Sequence, residues 1–398
     1  MRFEFSLYSC LPLIFFFHIL VYSILFFLRS KKQENYADKL MGWFLVISAF
    51  IIFPWMVGFA GWYDNQPYRD ILFFTPFVNT LAIGPLLYLY VKSLTDFNFR
   101  IKGKIYLHLV PACLYLIYRV ASSLLDIFIF DKYNLTNEYE DPDFASWYSA
   151  ISTLSILIYL FLSIKHFRNY KKYTELTTSF ADLASLKWLR NFLYAFGILT
   201  ILPIIRDLLS NFDFFAKLRY YGPWYYYVAF AIVVYYIAIN AYQAVYMHLR
   251  KIEFQPQLLL AFQDSNITLN DKELAEKENE PVILPVDQKL TYLKNELLSL
   301  MEVELLFERS DLTLNEVAIK LKTNAVILSK VVNQQFALNF NDFINQYRVN
   351  AVIERLKDPK FKNQTLLAIA FDAGFNSKAT FNRAFKKFTN KNPKEFLT

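Results

Sequence analysis

Near the C-terminus, Lys378, Thr380, Asn382, Arg383, Lys386 and Lys387 recur at spacings that place them on the outward side of one helix. Phe381, Ala384, Phe385 and Phe388 fill its apolar side. An earlier stretch repeats the arrangement: Leu328, Val331 and Val332 share a face, leaving Ser329, Lys330 and Asn333 outward after a start at Asn324. Cationic and amide groups displayed in this way recognise a partner by charge and hydrogen bonding. No constellation for covalent or metal chemistry accompanies them. His18, His108, His166 and His248 are scattered, and no His-Glu-x-x-His, phosphate-cradling glycine loop or Gly-x-Ser-x-Gly elbow occurs. Cys10 and Cys113 sit inside apolar runs, as small core residues do. No metal, cofactor or enzymatic activity is therefore expected.

The elements that must position these residues follow from capping and period. Thr313-Leu314-Asn315-Glu316 fits a capping box that opens a short helix through Val317, Ala318 and Leu321, ending near Lys322. Ile369 and Ala370 precede Gly374 by the same offsets at which Val317 and Ala318 precede Lys322, so the unit is duplicated. A small Ala four residues before the turn lets two helices cross closely, which is helix-turn-helix arithmetic. Gly374 supplies a positive φ at the second turn, and Asn376 or Ser377 caps the helix that follows. Between the two motifs, at about 313–336 and 366–388, Phe340, Phe343, Ile344, Tyr347, Ala351 and Leu356 predict a connecting helix roughly 25 Å long. From Ser310 onward Lys and Arg outnumber Asp and Glu by 14 to 7, a surplus equal to the +7 of the whole chain. The anionic partner belongs to this quarter.

The first 250 residues are of another kind. Hydrophobic residues make up 55% of the chain, and 41 Phe and 28 Tyr exceed what one soluble core buries. Seven apolar segments centred on Phe17, Phe50, Leu81, Leu114, Leu157, Ile198 and Val233 are each near the ~20 residues that cross a bilayer. Arg29, Lys31 and Lys32 follow the first without a small-residue cleavage site, so it is read as a retained span. Counting Lys and Arg in alternate breaks gives fourteen against five, which puts the N-terminus outside and the basic C-terminal part in the cytoplasm. Within the spans lie His18, Asn79, His108, Arg119, Arg206, Asp207 and Asn240. Arg119, Arg206 and Asp207 fall near outer ends and either line an outward-facing ligand pocket or snorkel to the interface. The aromatic cluster from Tyr220 to Tyr227 reads as an interfacial belt.

Between the halves, Phe262 to Asp287 holds seven acidic residues and two prolines with little apolar periodicity, the composition of a flexible linker. Beyond it, Leu290, Leu293, Leu297, Leu300 and Phe307 make one helical apolar face, either a coiled-coil seam or a packing face for the next domain. The expected architecture is all-α: a seven-helix transmembrane bundle (1–250), an acidic linker (251–285) and a cytoplasmic helical domain (286–398) with two helix-turn-helix motifs.

The stretch from Leu312 to Phe396 resembles the DNA-binding domain of AraC-type transcriptional regulators, most specifically in IAFDAGFNSKATFNRAFKKFTNKNPKEF. The first motif matches through LTLNEVAIKL, LSK at 328 to 330 and FNDFINQYRVNAV. GPLLYLYVKSL and HLVPACLYL resemble, less specifically, a Bacteroidetes-like subset in which a seven-span membrane domain precedes the regulator. The resemblance implies double-stranded DNA as partner, with Arg383 bidentate to guanine, Asn382 and Lys378 in the groove, and Lys386, Lys387, Lys391 and Lys394 on phosphates. This chain departs from the family at Lys322, where Gly is usual, and at Ala325, Val326 and Ile327, so the second motif is expected to dominate specificity. The resulting expectation is an inner-membrane, multi-pass, one-component regulator reading an unknown signal ligand or membrane partner, with homodimerisation coupling the spans to DNA through a flexible tether. A transporter or receptor with a helical regulatory tail, or a passively anchored constitutive regulator, are the alternatives.

Overall fold

The structure is a computed structural model that describes residues 4–96, 99–130, 132–136, 141–181, 186–209, 222–244 and 286–396, with Phe254 and Leu259. Among the described residues every extended element is a helix, and the one β feature is an isolated antiparallel bridge between Thr178 and Thr313. The chain divides into two compact units. One comprises Met1–Phe167 with Leu186–Val245, the other Arg168–Ser185 with Tyr246–Thr398. The expected linker at 251–285 lies, but for Phe254 and Leu259, outside the described residues.

The first unit contains α1 (Leu7–Gln33), α2 (Tyr36–Gly58), α3 (Tyr68–Phe74), α4 (Ile83–Thr95), α5 (Val110–Phe128), α6 (Ser146–Thr177, to Phe167), α7 (Lys187–Leu209) and α8 (Gly222–Gln243). Among the described residues, six helices are long and apolar enough to cross a membrane: α1, α2, α5 with the 3-10 turns before it, α6, α7 and α8. Helix α2 packs against α1, α4 and α8, and α1 and α7 each pack on α8. At one end of α1, Arg29 forms a two-pronged pair with Asp38 of α2, Nε to Oδ2 and Nη2 to Oδ1 both at 2.7 Å, and also donates to the carbonyl of Tyr242 in α8. Leu114, Ile117, Leu154, Phe161 and Ile198 stand exposed on the outside of α5, α6 and α7.

The third expected span is corrected. Around Leu81 the chain is not one helix but α3, an irregular stretch through Pro76, a 3-10 turn at Thr80–Ala82, and the short, mostly buried α4. Pro76 denies the backbone a donor and holds Thr75 in an extended conformation. A break leaves orphan polar groups, and side chains take them up. Asp143 accepts from the Val78 amide at 3.0 Å, and Arg119 donates to the Phe73 carbonyl at 2.9 Å while pairing with Asp143 at 3.1 Å.

The second unit is built from the end of α6 (Arg168–Thr177), α9 (Val286–Glu302), α10 (Leu314–Lys320), α11 (Ala325–Phe336), α12 (Phe340–Lys357), α13 (Leu366–Asp372), α14 (Lys378–Thr389) and α15 (Pro393–Phe396). Its core is double. Leu297, Met301, Leu314, Val317, Leu328, Val332 and Phe343 form one cluster, and Val349, Val352, Ile369, Phe375, Phe381 and Phe385 another. Helix α12 serves both, with Phe340, Phe343 and Ile344 in the first and Val349 and Val352 in the second. Leu290 and Leu293 of α9 pack on Ile327 and Val331 of α11. Of the two readings of that leucine face, packing onto its own domain is the one observed.

Candidate nucleic-acid interface

The two helix pairs α10–α11 and α13–α14 form as the sequence pattern requires. Thr313 caps α10 reciprocally with Glu316, each bonding the other's backbone amide. Asn324 caps α11 by accepting from the Ile327 amide, and Ser377 caps α14 by accepting from the Thr380 amide. Asn376, the alternative cap, instead donates to the Ser310 carbonyl. The two turns use the left-handed region at equivalent places, with φ of 50° at Lys322 and 95° at Gly374. Asn390 ends α14 in the same region, at φ 58°. The connecting helix α12 has 18 residues, about 27 Å at 1.5 Å each.

Helix α14 separates its two faces cleanly. Phe381, Ala384 and Phe385 are buried, whereas Lys378, Asn382, Arg383, Lys386 and Lys387 are exposed. Lys387 also reaches Asp342 of α12 at 2.6 Å, so its ammonium is shared between the surface and this ion pair. Thr380 departs from the outward placement expected of it. It is buried and its hydroxyl lies 2.8 Å from that of Ser377, because the third residue of a capped helix is drawn under the cap. In α11, Asn324 and Asn333 are exposed and Lys330 is half-buried. Ser329 is buried, 5% exposed, against the expectation that it faces outward. Helix α11 packs against the core through Leu328 and Val332 and against α9 through Ile327 and Val331.

Sequence reasoning missed Arg348. It lies at 1% exposure in α12, and its guanidinium donates to the carbonyls of Phe307 (2.8 Å), Arg309 (2.7 Å) and Ser179 (3.1 Å) and to Ser179 Oγ (3.0 Å). Burial pulls this guanidinium down to about 9, which leaves it charged at neutral pH. The signal was available: Arg348 stands in phase with Ile344 and Val352, one turn from each, on an otherwise apolar stripe. The loop it holds is also where the second helix pair docks. A Cβ on Gly374 would lie 2.6 Å from the Phe307 carbonyl oxygen, and Arg355 of α12 pairs with Glu308.

A protein-family model described as "Helix-turn-helix domain" matches residues 317–398. The C-terminal region carries a helix-turn-helix domain. Over 95 residues the chain is 35% identical to proteins named "Uncharacterized HTH-type transcriptional regulator" in Staphylococcus aureus strains COL, MSSA476 and N315. The match takes in 24% of this chain and 12% of each relative, so the chain spans only about an eighth of their length. No solved structure matches the chain significantly.

The residues expected to line a ligand pocket lie elsewhere. Arg119 is buried and neither snorkels nor opens outward, its guanidinium being held by Asp143 and the Phe73 carbonyl. Arg206 and Asp207 belong to α7, and their side chains lie outside the described residues. Of the other polar groups in the apolar helices, Asn79 donates to the Ala112 carbonyl, His108 shares a hydrogen bond with Tyr159, and His18 stacks on Tyr235.

Proposed function

We propose that the chain is a membrane-embedded, one-component transcription regulator that binds double-stranded DNA through its helix-turn-helix domain. The observation that carries this reading is α14, which follows a glycine turn, buries its aromatic residues and exposes Lys378, Asn382, Arg383, Lys386 and Lys387 together. Arg383 is the bidentate partner for guanine, Asn382 and Lys378 add groove contacts, and Lys386 meets phosphate. Helix α11 contributes less, through Asn324, Lys330 and Asn333, since α9 covers its Ile327 and Val331. Membrane embedding is supported by six helices of spanning length and by the apolar side chains on their outside. The signal is read by the bundle or by a membrane partner; Arg206 and Asp207 remain the proposed ligand residues, and Arg119 would act through Asp143.

The test is selection of duplexes from a random pool by the full chain in lipid nanodiscs, followed by titration of variants on the selected duplex. Arg383→Ala is expected to cost about 1–3 kcal/mol on that duplex and to relax preference at one base pair. Lys386→Ala is expected to weaken all duplexes alike and to flatten the salt dependence. Equal losses on selected and random DNA for both variants would refute the assignment, and a chain that enriches no duplex would refute the function.

A further inference from the structure

The second unit contains a segment that is not part of the helix-turn-helix domain. Helix α6 runs without a break from Ser146 to Thr177, and its last turns, from Arg168, together with the residues after it belong with the domain rather than with the apolar helices. Immediately past the helix end, Thr178 forms an antiparallel bridge with Thr313, and the Ser179 amide donates to the Leu312 carbonyl at 3.0 Å. Asn341 of α12 donates to the Thr178 carbonyl at 2.8 Å, and Arg348 takes both the carbonyl and the hydroxyl of Ser179. Thr178, Ser179 and Phe180 are each at most 2% exposed. Phe254, beyond the last span, packs edge-on against Tyr170 and Tyr173 of α6 and adds to the same cluster.

These contacts are placed where they matter to the domain. Thr313 is the cap of α10, and Leu312 closes the 306–312 loop against which Arg348, Gly374 and Asn376 all rest. That loop is the joint between the two helix pairs. Removing residues 178–180 would strip Arg348 of two acceptors and Asn341 of one, leaving buried donors to find water. The joint is therefore better ordered with the segment seated than without it. Two helix pairs that read one duplex together need a fixed joint.

We propose that residues 178–180 are an intramolecular clip on this joint, and that the seating of the clip sets the affinity of the domain for DNA. This rests on the DNA-binding reading given above and deepens it by naming the regulation. Because α6 is continuous up to the clip, a displacement of α6 is delivered to the joint by covalent structure. Seated, the clip holds the domain competent; withdrawn, it leaves the joint loose and the affinity lower by the fraction of competent molecules lost.

The experiment uses the full chain in nanodiscs with Cys10 and Cys113 replaced by Ser, and with Thr178→Cys and Thr313→Cys. Residues across an antiparallel bridge lie about 4.5–5.5 Å apart between Cα atoms, within reach of a disulfide. A protease site inserted near Glu276 separates α6 from the domain, so a non-reducing gel reads the cross-link directly. The DNA probe is a duplex selected from a random pool by the reduced protein. The disulfide is expected to form in high yield, and the oxidised chain to bind the duplex at least as tightly as the reduced one. Asn341→Ala, which removes one clip hydrogen bond, should weaken binding up to about fivefold when reduced, and oxidation should restore it to within about twofold. Absence of the cross-link overturns the proposal, as does oxidation that abolishes binding or that leaves Asn341→Ala unrescued. If no duplex is enriched by either form, the DNA-binding reading itself fails, and the cross-link yield tells that failure from a failure of the clip.

Discussion

Lys322 and Gly374 occupy the same place in the two turns and reach it at different cost. A residue with a Cβ in the left-handed region is disfavoured by roughly 1–2 kcal/mol, and Lys322 sits there at φ 50°. Lys322→Gly is expected to stabilise the helix-turn-helix domain by about 0.5–1 kcal/mol, part of the relief being offset by the entropy of glycine. The reverse holds at Gly374, where φ is 95° and a Cβ would stand 2.6 Å from the Phe307 carbonyl oxygen and 2.7 Å from that of Glu308. Gly374→Ala should cost about 2–4 kcal/mol, since the atoms it would meet are backbone and not the end of a flexible side chain. Chemical denaturation of the full chain, followed by hydrogen exchange of α10 to α14, checks both, and a neutral Gly374→Ala would show that the joint yields. Residues of this local kind were legible in the sequence: the Thr313–Glu316 box, Asn390 as a left-handed cap and the glycine turn all depend on neighbours within four positions. The burial of Ser329 and Thr380 was not, Thr380 being drawn under the cap of Ser377, and for Arg348 the helical phase marked the burial but not the acceptors, which come from loops about forty and 170 residues away in sequence.

Among the elements, the interrupted third span shows most plainly what apolar period leaves undetermined. Composition around Leu81 predicts a crossing helix; the structure has two short helices with a break that Asp143, Arg119 and Tyr148 complete from outside. The 3-10 turn Pro142–Phe144 that carries Asp143 is itself capped by Asp141, whose carboxylate accepts from the Asp143 amide at 2.9 Å and from the Tyr63 hydroxyl at 2.6 Å. Burial, reinforced by the negative charge of Asp143, pushes Asp141 up to about 6 from an ordinary 3.8. The folded loop therefore favours the neutral acid. Its cost is absent below about pH 4, grows as pH rises, and is complete above pH 6, so acidification from pH 7 to 5 should stabilise the first unit by about 1 kcal/mol through this group. Asp141→Asn should abolish that part of the pH dependence. Thermal melting of the full chain in detergent at the two pH values measures it, and an unchanged pH slope in Asp141→Asn would place the titration elsewhere.

At the scale of the whole molecule, the division into an apolar half and a basic half was readable from composition, whereas the allegiance of residues 168–185 was not. Those residues read as one more cationic break between spans, and nothing in their types announces that Ser179 is an acceptor for a buried arginine. The proposed clip offers a second route by which a signal can leave the helices, beside proximity through the acidic stretch 262–287. The topology that follows from the cationic bias survives the interrupted third span only if α3 and α4 together make one crossing. The burial of α4 on most of its length favours that, since broken helices are tolerated at membrane depth where protein surrounds them. With one such crossing the number of crossings would be odd, and the proposed orientation would put the helix-turn-helix domain on the side of the Arg29–Lys39, Lys92–Lys104 and Lys165–Arg190 breaks. A fluorescent reporter that matures only in the cytoplasm should be bright when fused after Thr398 and dark when inserted near residue 140, and a periplasmic phosphatase should give the converse. If α3 and α4 form instead a re-entrant excursion, six crossings remain; the site near residue 140 still lies opposite the C-terminus, but a reporter inserted between α1 and α2, near Glu34, then reports from the side opposite to the C-terminus instead of the same side, an outcome incompatible with the proposed orientation.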